Sequence, residues 1–259
     1  MQTGRRMREA LRRLSIMLTL SLLFAATPAR AQAPAAAPAP PPPPWTGSAG
    51  FGLSLNRGNT KASNFSASFE GTHDPKTGRV WKFKGLYLRG DNNGARSVDR
   101  LQLEGRHERS FGKRAYAFGN LQFLKDHFKE IDYLVAPGGG VGYKLVATPV
   151  TSLNVDGGLG VKFEKNPGLD QRTDAVVTMS DKLEHKLSKT ASITQSFGAL
   201  WKAQDFGDAL YTFAAGVSAS LTTRTQLKVE LVDTYASRPP SAAVQSNDVA
   251  LLTAFVYKF

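Results

Sequence analysis

The chain contains no cysteine, which excludes a disulfide framework and any metal site built on thiolates. Its four histidines form no spaced cluster of metal ligands, so we expect neither a bound metal nor another cofactor. Beyond residue 44 the sequence also lacks the run of about 20 apolar residues that a membrane-spanning helix needs, and the mean hydropathy of the whole chain is −0.26. A disulfide-rich domain, a Cys/His metal protein and a helical membrane protein are therefore excluded.

The longest apolar run lies close to the amino terminus. Five arginines precede it within the first 13 residues, and the run itself covers residues 14–26. Ala29 and Ala31 then place small side chains at the two positions that signal peptidase reads. The run is too short to cross the hydrocarbon core as an anchor helix. We therefore predict a secretory signal peptide over residues 1–31, cleaved after Ala31.

The next segment, residues 32–44, consists almost entirely of Ala and Pro. Such a composition favours an extended, stiff conformation that does not pack into a core. We predict an Ala/Pro-rich periplasmic tether over residues 32–44 and a folded domain over residues 45–259.

The formal net charge is +12, and much of the excess comes from the arginines of the predicted signal peptide. After residue 44 the basic residues are scattered among acidic ones. They do not form the clustered stripe that a nucleic-acid interface presents. We therefore expect no nucleic-acid partner.

From Trp45 onward the apolar residues recur with a period of two, which is the periodicity of a β-strand. In residues 153–164 one face is Leu, Val, Gly, Leu, Val and Phe, and the other is Asn, Asp, Gly, Gly, Lys and Glu. Most such segments reach the roughly 9–11 residues with which a tilted strand crosses a bilayer. We predict strands over residues 45–55, 62–73, 79–89, 97–110, 115–126, 132–146, 152–164, 172–186, 190–202, 208–221, 225–236 and 247–259.

These segments predict an all-β fold, a closed antiparallel transmembrane β-barrel of about 12 strands. Connections after even-numbered strands are short, and those after odd-numbered strands tend to be longer, up to residues 237–246. Bacterial barrels have short periplasmic turns and longer outer loops. A soluble β-sandwich or a lipocalin-like barrel has the same period of two, but its apolar face points inward. Small aliphatic residues on one face, many charges on the other and the end of the chain favour the membrane barrel.

At the end of the chain Phe255, Tyr257 and Phe259 alternate on one face of the last predicted strand. Alternating aromatics with a terminal Phe look like the signal that barrel-assembly machinery recognises in its clients. Such a strand can pair through its backbone while its aromatic rings lie at the lipid interface. We expect outer-membrane lipid, barrel-assembly machinery and periplasmic chaperones as partners.

The histidines provide no support for an enzymatic barrel. Lipid-cleaving barrels place a His and a Ser two residues apart on one strand, so that both point to the same side. Ser110 follows His107 by three residues, and no His-x-Ser pair occurs in the chain. We predict a non-enzymatic barrel with no catalytic residues. A lipid-modifying or proteolytic barrel is the alternative, since an Asp–His pair could form across strands.

The polar face of the predicted strands carries charges of both signs. On the fourth and seventh predicted strands the expected lumen-facing residues are Arg100, Glu104, Arg106, Glu108, Lys162 and Glu164. They suggest either a polar lumen that passes small solutes or cross-strand ion pairs that fill the lumen and stabilise the barrel. The even mixture of signs favours the ion pairs.

Glycines cluster at residues 138–142 and 157–160. Neither cluster continues into the Gly-Lys-Ser/Thr ending of a phosphate-binding loop. Glycine inside a strand marks curvature, a bulge or the close approach of a neighbouring strand. We therefore predict a structural role for both clusters.

Several short motifs occur along the chain in a characteristic order. They are Trp45-Thr46-Gly47-Ser48, then Gly58-Asn59-Thr60, Gly140-Val141-Gly142-Tyr143-Lys144-Leu145, a Gly-Leu-Gly at 158–160, and Tyr257-Lys258-Phe259. From about Trp45 to Phe259 the chain resembles the YdiY-like salt-induced outer membrane proteins, which share a domain of unknown function, number 481. The resemblance implies a barrel in the outer membrane of a Gram-negative bacterium, and it brings no activity or site residues with it.

The expected function follows from these features together. We expect an integral barrel of the cell outer membrane that is non-enzymatic. Its role is either structural, including a response to envelope stress, or the passive passage of small solutes through a polar lumen. An adhesin is disfavoured because the outer loops are short and carry no aromatic cluster.

Overall fold

The structure is a computed structural model in which residues 44–56, 62–239 and 246–259 are described. The predicted signal peptide and, apart from its last residue, the predicted tether lie outside these ranges. No helix in the described part of the chain is long and apolar enough to span a membrane.

Twelve β-strands make up the described chain, and each begins and ends within three residues of its predicted bounds. They are β1 (Trp45–Asn56), β2 (Ala62–His73), β3 (Arg79–Asn92), β4 (Ala95–Phe111), β5 (Ala115–Asp126), β6 (Ile131–Ala147), β7 (Thr151–Lys165), β8 (Arg172–Lys186), β9 (Ala191–Lys202), β10 (Asp205–Ser220), β11 (Thr225–Ala236) and β12 (Asn247–Lys258). The period of two locates the strands well because successive side chains of a strand point to opposite faces.

Each strand pairs antiparallel with its neighbours in the sequence, and β1 pairs with β12, so the sheet closes into a barrel. The closing seam is short. It is in register over residues 48–51 of β1, and the backbone amides of Gly47 and Phe259 donate to each other's carbonyls at 3.1 and 3.0 Å. Closure removes the unpaired sheet edges that lipid cannot hydrogen-bond. The predicted closed antiparallel barrel is confirmed.

The two faces of the barrel differ as they do in a membrane protein. Odd-numbered residues face outward along most of each strand, and many of them are large, apolar and exposed. Leu53, Val141, Leu159 and Leu251 are 70%, 66%, 68% and 70% exposed. Most charged strand residues have even numbers and face the lumen. A soluble barrel has the opposite arrangement, whereas an apolar exterior around a polar interior is typical of a transmembrane barrel.

Aromatic rings border this apolar exterior at both ends. We call the end that carries the start of β1 and the end of β12 the terminal end, and the opposite one the far end. At the terminal end the rings of Trp81 and His107 are 4.4 Å apart. Toward the far end Trp201 packs against Tyr211 at 6.1 Å, and Tyr211 against Tyr235 at 6.2 Å. Such paired belts lie at the two membrane–water interfaces of transmembrane barrels.

The connections between strands correct one expectation. β3 and β4 are joined at the far end by Asn93 and Gly94 alone, and β9 and β10 by residues 203–204, so both connections are shorter than every terminal-end turn. Asn93 and Gly94 have φ angles of 50° and 83°, as in a type I′ hairpin turn, whose twist matches that of the strands. The strands therefore continue into residues that we predicted as loop. The prediction that connections after odd-numbered strands are the longer ones is wrong at these two hairpins.

Candidate functional site

The lumen is where charged side chains from several strands meet. The predicted lumen residues have even numbers on β4 and β7 and lie on the inward face of the barrel. Each has an ion-pair partner within 4 Å. They are Arg100, Glu104, Arg106 and Glu108 on β4, and Lys162 and Glu164 on β7.

Arg106 lies at the centre of the densest group of charges. Its Nε is 2.7 Å from Glu108 Oε1, and its Nη2 is 3.0 Å from Asp156 Oδ2 on β7. Lys82 on β3 binds the same Glu108 oxygen at 2.8 Å. The contact between β4 and β7 passes over the inner surface of β5 and β6. The group therefore ties together strands that share no backbone hydrogen bonds.

Two aromatic residues of β5 contact this group of charges. The guanidinium carbon of Arg106 is 3.8 Å from the centre of the Phe118 ring, within the range of a cation–π contact. The Tyr116 hydroxyl donates a 2.6 Å hydrogen bond to Asp156 Oδ1. On β6, Gly142 leaves room for both: a Cβ there would lie 2.3 Å from the Tyr116 ring and 2.2 Å from the Asp156 carboxylate. The glycine cluster thus marks a close approach, as its sequence predicts.

A second set of ion pairs lines the lumen nearer the far end. Lys162 Nζ is 2.6 Å from Glu164 Oε2, and the Arg172 guanidinium is 3.6 Å from the other oxygen of Glu164. Arg100 on β4 is 3.7 Å from Asp126 on β5. These contacts join residues of the same or adjacent strands, so they run along the wall.

Charges also face each other across the lumen. Lys182 on β8 interacts electrostatically with Lys84 on β3 and Glu70 on β2, five and six strands away around the barrel. Within the described residues Lys182 has no ion-pair partner inside 4 Å. Lys84 and Lys82 leave 45% and 39% of their side chains exposed. At this level lysine side chains with solvent-accessible surface extend into the lumen from opposite walls.

A polar cavity of about 190 Å³ lies at the terminal end of the lumen. Asp74, Lys82, Glu108 and Lys144 are among the residues that line it. Asp74 accepts a hydrogen bond from Lys76 Nζ at 2.7 Å, which lowers the pKa of that carboxyl, so it stays ionised well below neutral pH. The cavity is a charged vestibule with groups of both signs.

The histidines form no catalytic arrangement with a neighbouring serine in the described residues. His73 and His107 lie against Trp45 and Trp81 in the terminal aromatic belt. The Nδ1 of His185 is 2.8 Å from the Thr151 hydroxyl. The described residues also contain no group of three or more His, Asp or Glu that could hold a metal. The absence of catalytic and cofactor-binding residues stays a prediction.

Two aromatic residues of β12 and Phe259, which directly follows β12, lie on the outer surface beside the closing seam. Phe255, Tyr257 and Phe259 are 51%, 43% and 68% exposed. Phe255 is opposite Phe51 of β1, and Tyr257 is opposite Ala49. The rings are therefore positioned to contact lipid at the place where the barrel closes.

Sequence reasoning did not foresee the group around Arg106. Asp156 lies on the polar face of its predicted strand and Tyr116 lies within another predicted strand, but no motif connects either residue with Arg106. The period of two does indicate that Arg106, Tyr116 and Asp156 lie on the same face of the sheet. Their heights relative to one another depend on the register of four strands, which turn geometry and packing fix and a single strand pattern does not.

Replacing Asp156 by Ala is expected to lower the thermal stability of the folded barrel. The change leaves Arg106 and the Tyr116 hydroxyl without their common partner, and an unsatisfied buried polar group costs about 1–3 kcal/mol. The midpoint can be followed by the gel shift between folded and unfolded protein as samples are heated in detergent. Asp74→Ala is the control, because its pair with Lys76 is exposed and contributes little. Equal midpoints for wild type and Asp156→Ala would contradict this prediction.

A closed antiparallel barrel with an apolar, aromatic-bordered exterior and a charged lumen defines the class of this protein, an integral β-barrel of the outer membrane. The chain belongs to the family described as "Protein of unknown function, DUF481", whose model matches residues 49–259. The predicted family is thereby confirmed.

Individual proteins show similarity at the level of sequence or of fold. The chain is 26% identical over 208 residues to the "Uncharacterized protein YdiY" of Escherichia coli (strain K12), and the match covers 78% of each chain. Its fold is similar to that of the NanC porin, with 10% identity, a TM-score of 0.49, and coverage of 83% of this chain and 96% of that one. An outer membrane channel from Pseudomonas putida F1 gives 12% identity, a TM-score of 0.49, and coverage of 83% and 95%. None of these similarities assigns a solute to this chain.

Proposed function

We propose that this barrel is a passive pathway for small hydrophilic solutes across the outer membrane. The observation that carries the proposal is the solvent exposure of Lys84 and Lys182, which face the lumen from opposite walls. If ion pairs filled the lumen, these lysines would be packed against partners. Instead, Lys84 is 45% exposed, and its distance to Glu104 is 3.9 Å, close to the limit of an ion pair. Exposed ammonium groups inside a barrel require water around them.

The nature of the lumen wall limits the solutes that can pass. Long side chains from opposite walls come close enough to interact, which favours small molecules. Carboxylates and basic groups alternate around the wall, so the field of one sign is largely cancelled by the other. We therefore expect only weak preference between anions and cations. An apolar solute would have to displace water from charged groups without replacing its hydrogen bonds.

We further propose an orientation of the barrel in the outer membrane. The terminal end faces the periplasm, and the far end faces the cell exterior. Barrel-assembly machinery and periplasmic chaperones act on the chain before it folds, and outer-membrane lipid surrounds it afterwards. The barrel is non-enzymatic, and a purely structural role in the envelope is the competing function.

The test is single-channel conductance of the purified, folded protein in a planar bilayer, with one introduced thiol. The chain has no cysteine, so each variant carries a single reactive group. Ala214 faces the lumen from β10, and its neighbour Ala215 faces outward. A charged methanethiosulfonate reagent is expected to reduce the current through the Ala214→Cys variant and to leave Ala215→Cys unchanged, because only the first thiol lies on the solute path.

Two results would contradict the proposal. Folded protein that inserts into the bilayer without conducting would favour the structural role. An equal response of the two thiol variants would mean that the current does not pass through the lumen.

A further inference from the structure

The turn between β5 and β6 carries a lysine across the far mouth of the barrel. Lys129 Nζ lies 2.9 Å from Asp248 Oδ2, and Asp248 is the second residue of β12. In the closed strand order β12 is five strands from β5 and six from β6. Most of the other ion pairs among the described residues join the same strand or neighbouring strands, whereas the Lys129–Asp248 pair joins distant ones. The contact therefore spans the opening from one wall to the opposite one.

The backbone of this turn is held in place by its own polar contacts. Asp126 Oδ1 accepts hydrogen bonds from the backbone amides of Phe128 and Lys129, both at 3.1 Å. Asn166, in the next far-end loop, donates a 2.6 Å hydrogen bond to the Glu130 carbonyl. These bonds fix both sides of residue 129, so the direction of the lysine is set by the fold.

Asn166 is in turn anchored to the barrel wall. Its side-chain oxygen accepts a 3.1 Å hydrogen bond from Arg172, the first residue of β8, and only 2% of Asn166 is exposed. The backbone of Glu130 has a φ of 55°, a left-handed conformation that is uncommon outside glycine. A buried Asn that bonds to this carbonyl helps to keep the turn in that conformation. Side-chain contacts at the far mouth thus hold the turn in a defined conformation.

The two partners of the ion pair differ in burial. The Lys129 side chain is 11% exposed, whereas that of Asp248 is 52% exposed. The Lys129 ammonium has no well-aligned hydrogen bond, so the contact is mainly electrostatic. Because the Lys129 ammonium is shielded from water, loss of Asp248 would leave it without a counter-charge, which favours the position of the side chain across the mouth. The hydrogen bonds that hold the backbone of the turn do not involve this pair, so a variant without the pair is expected to keep the turn.

We propose that Lys129 and Asp248 form a strut across the far mouth that sets the upper size of the solutes that pass. The inference rests on the proposed function, because a size limit has meaning only for a conducting lumen. The strut divides the opening while the pair is made. When the pair is broken, the flexible lysine side chain can turn away and the opening becomes wider.

The size limit can be measured by adding polyethylene glycols of graded mass to the bilayer chamber and recording which of them reduce the single-channel current. Lys129→Met and Asp248→Asn are each expected to raise the conductance and to shift the limit to larger polymers. The double variant Lys129→Asp with Asp248→Lys restores an ion pair across the mouth, and is expected to return the limit toward that of wild type. Arg238→Met is the matched control, since Arg238 pairs with Asp205 at the same end of the barrel but between adjacent elements.

The outcomes separate this inference from the proposed function. A wild-type channel whose polymer limit is the same in Lys129→Met and Asp248→Asn overturns the strut and leaves the pathway intact. A shift in Arg238→Met equal to that in Lys129→Met also overturns it, because any loss of a far-end ion pair would then suffice. If folded wild-type protein conducts no current at all, the proposed function itself fails. Heat-dependent gel mobility identifies any variant that has not folded.

Discussion

Replacing Phe255, Tyr257 and Phe259 together with Ser is expected to prevent assembly of the barrel. These residues form the outer side of the closing seam, where β1 and β12 are in register over only four residue pairs. Within the described strands every other pairing includes more than ten. The seam is thus the strand pair with the fewest paired residues, so it is the one most sensitive to the loss of side-chain contacts. Until it closes, both edges expose polar backbone groups that lipid cannot satisfy.

The experiment compares the amount of folded protein in the outer membrane after a pulse of labelling, using the heat-dependent gel shift to identify folded barrels. Signal-peptide removal is expected to be normal, so the variant should accumulate as a processed but unfolded form. The control replaces three residues with similar exposure at terminal-end turns away from the seam: Phe111, Leu187 and Leu221. If this control assembles as poorly as the seam variant, the effect comes from lost contact with lipid in general and the seam has no special importance.

The strand pattern could be predicted from the sequence because a barrel repeats one physical rule. Each strand has lipid on one side and water or charge on the other, so its side chains alternate regardless of which strands it pairs with. The errors lie where a local turn overrides that rule. Asn93 and Gly94 form a type I′ turn that extends β3 and β4 beyond their predicted ends, although the Asn-Gly pair is itself a known hairpin signal.

The lumen contacts could be predicted only in part. Alternation is enough to put Arg106 and Lys162 inside the barrel. It does not show that Arg106 reaches Asp156 over the two intervening strands, or that Lys129 crosses the mouth. Contacts between distant strands depend on the shear of the closed sheet, and a change of one residue in register moves a side chain to the other face. Lys129 was also outside every predicted strand, so the alternation gave no information about it.

Replacing Gly140 by Ala is expected to destabilise the barrel more than a single added methyl group usually does. A Cβ at this position would lie 2.1 Å from the carbonyl oxygen of Gly157 and 2.6 Å from the Cα of Gly158. An extra methylene in a well-packed site costs about 1–3 kcal/mol when side chains can move aside. Here the obstructing atoms belong to the backbone of β7, so relief requires β6 and β7 to separate and their hydrogen bonds to lengthen.

The size of this effect can be measured as the urea midpoint of unfolding in lipid vesicles, followed by tryptophan fluorescence and the gel shift. Gly198→Ala is the matched control, because Gly198 also faces the lumen from the middle of a strand and its Cβ would have no atom within 4 Å. Gly157→Ala is a second control on β7 itself, where the Cβ would likewise meet nothing. We expect a large loss of stability, or no folded barrel, for Gly140→Ala alone. Three similar midpoints would mean that glycine acts in these strands through backbone flexibility, and that the close approach of β6 and β7 does not require it.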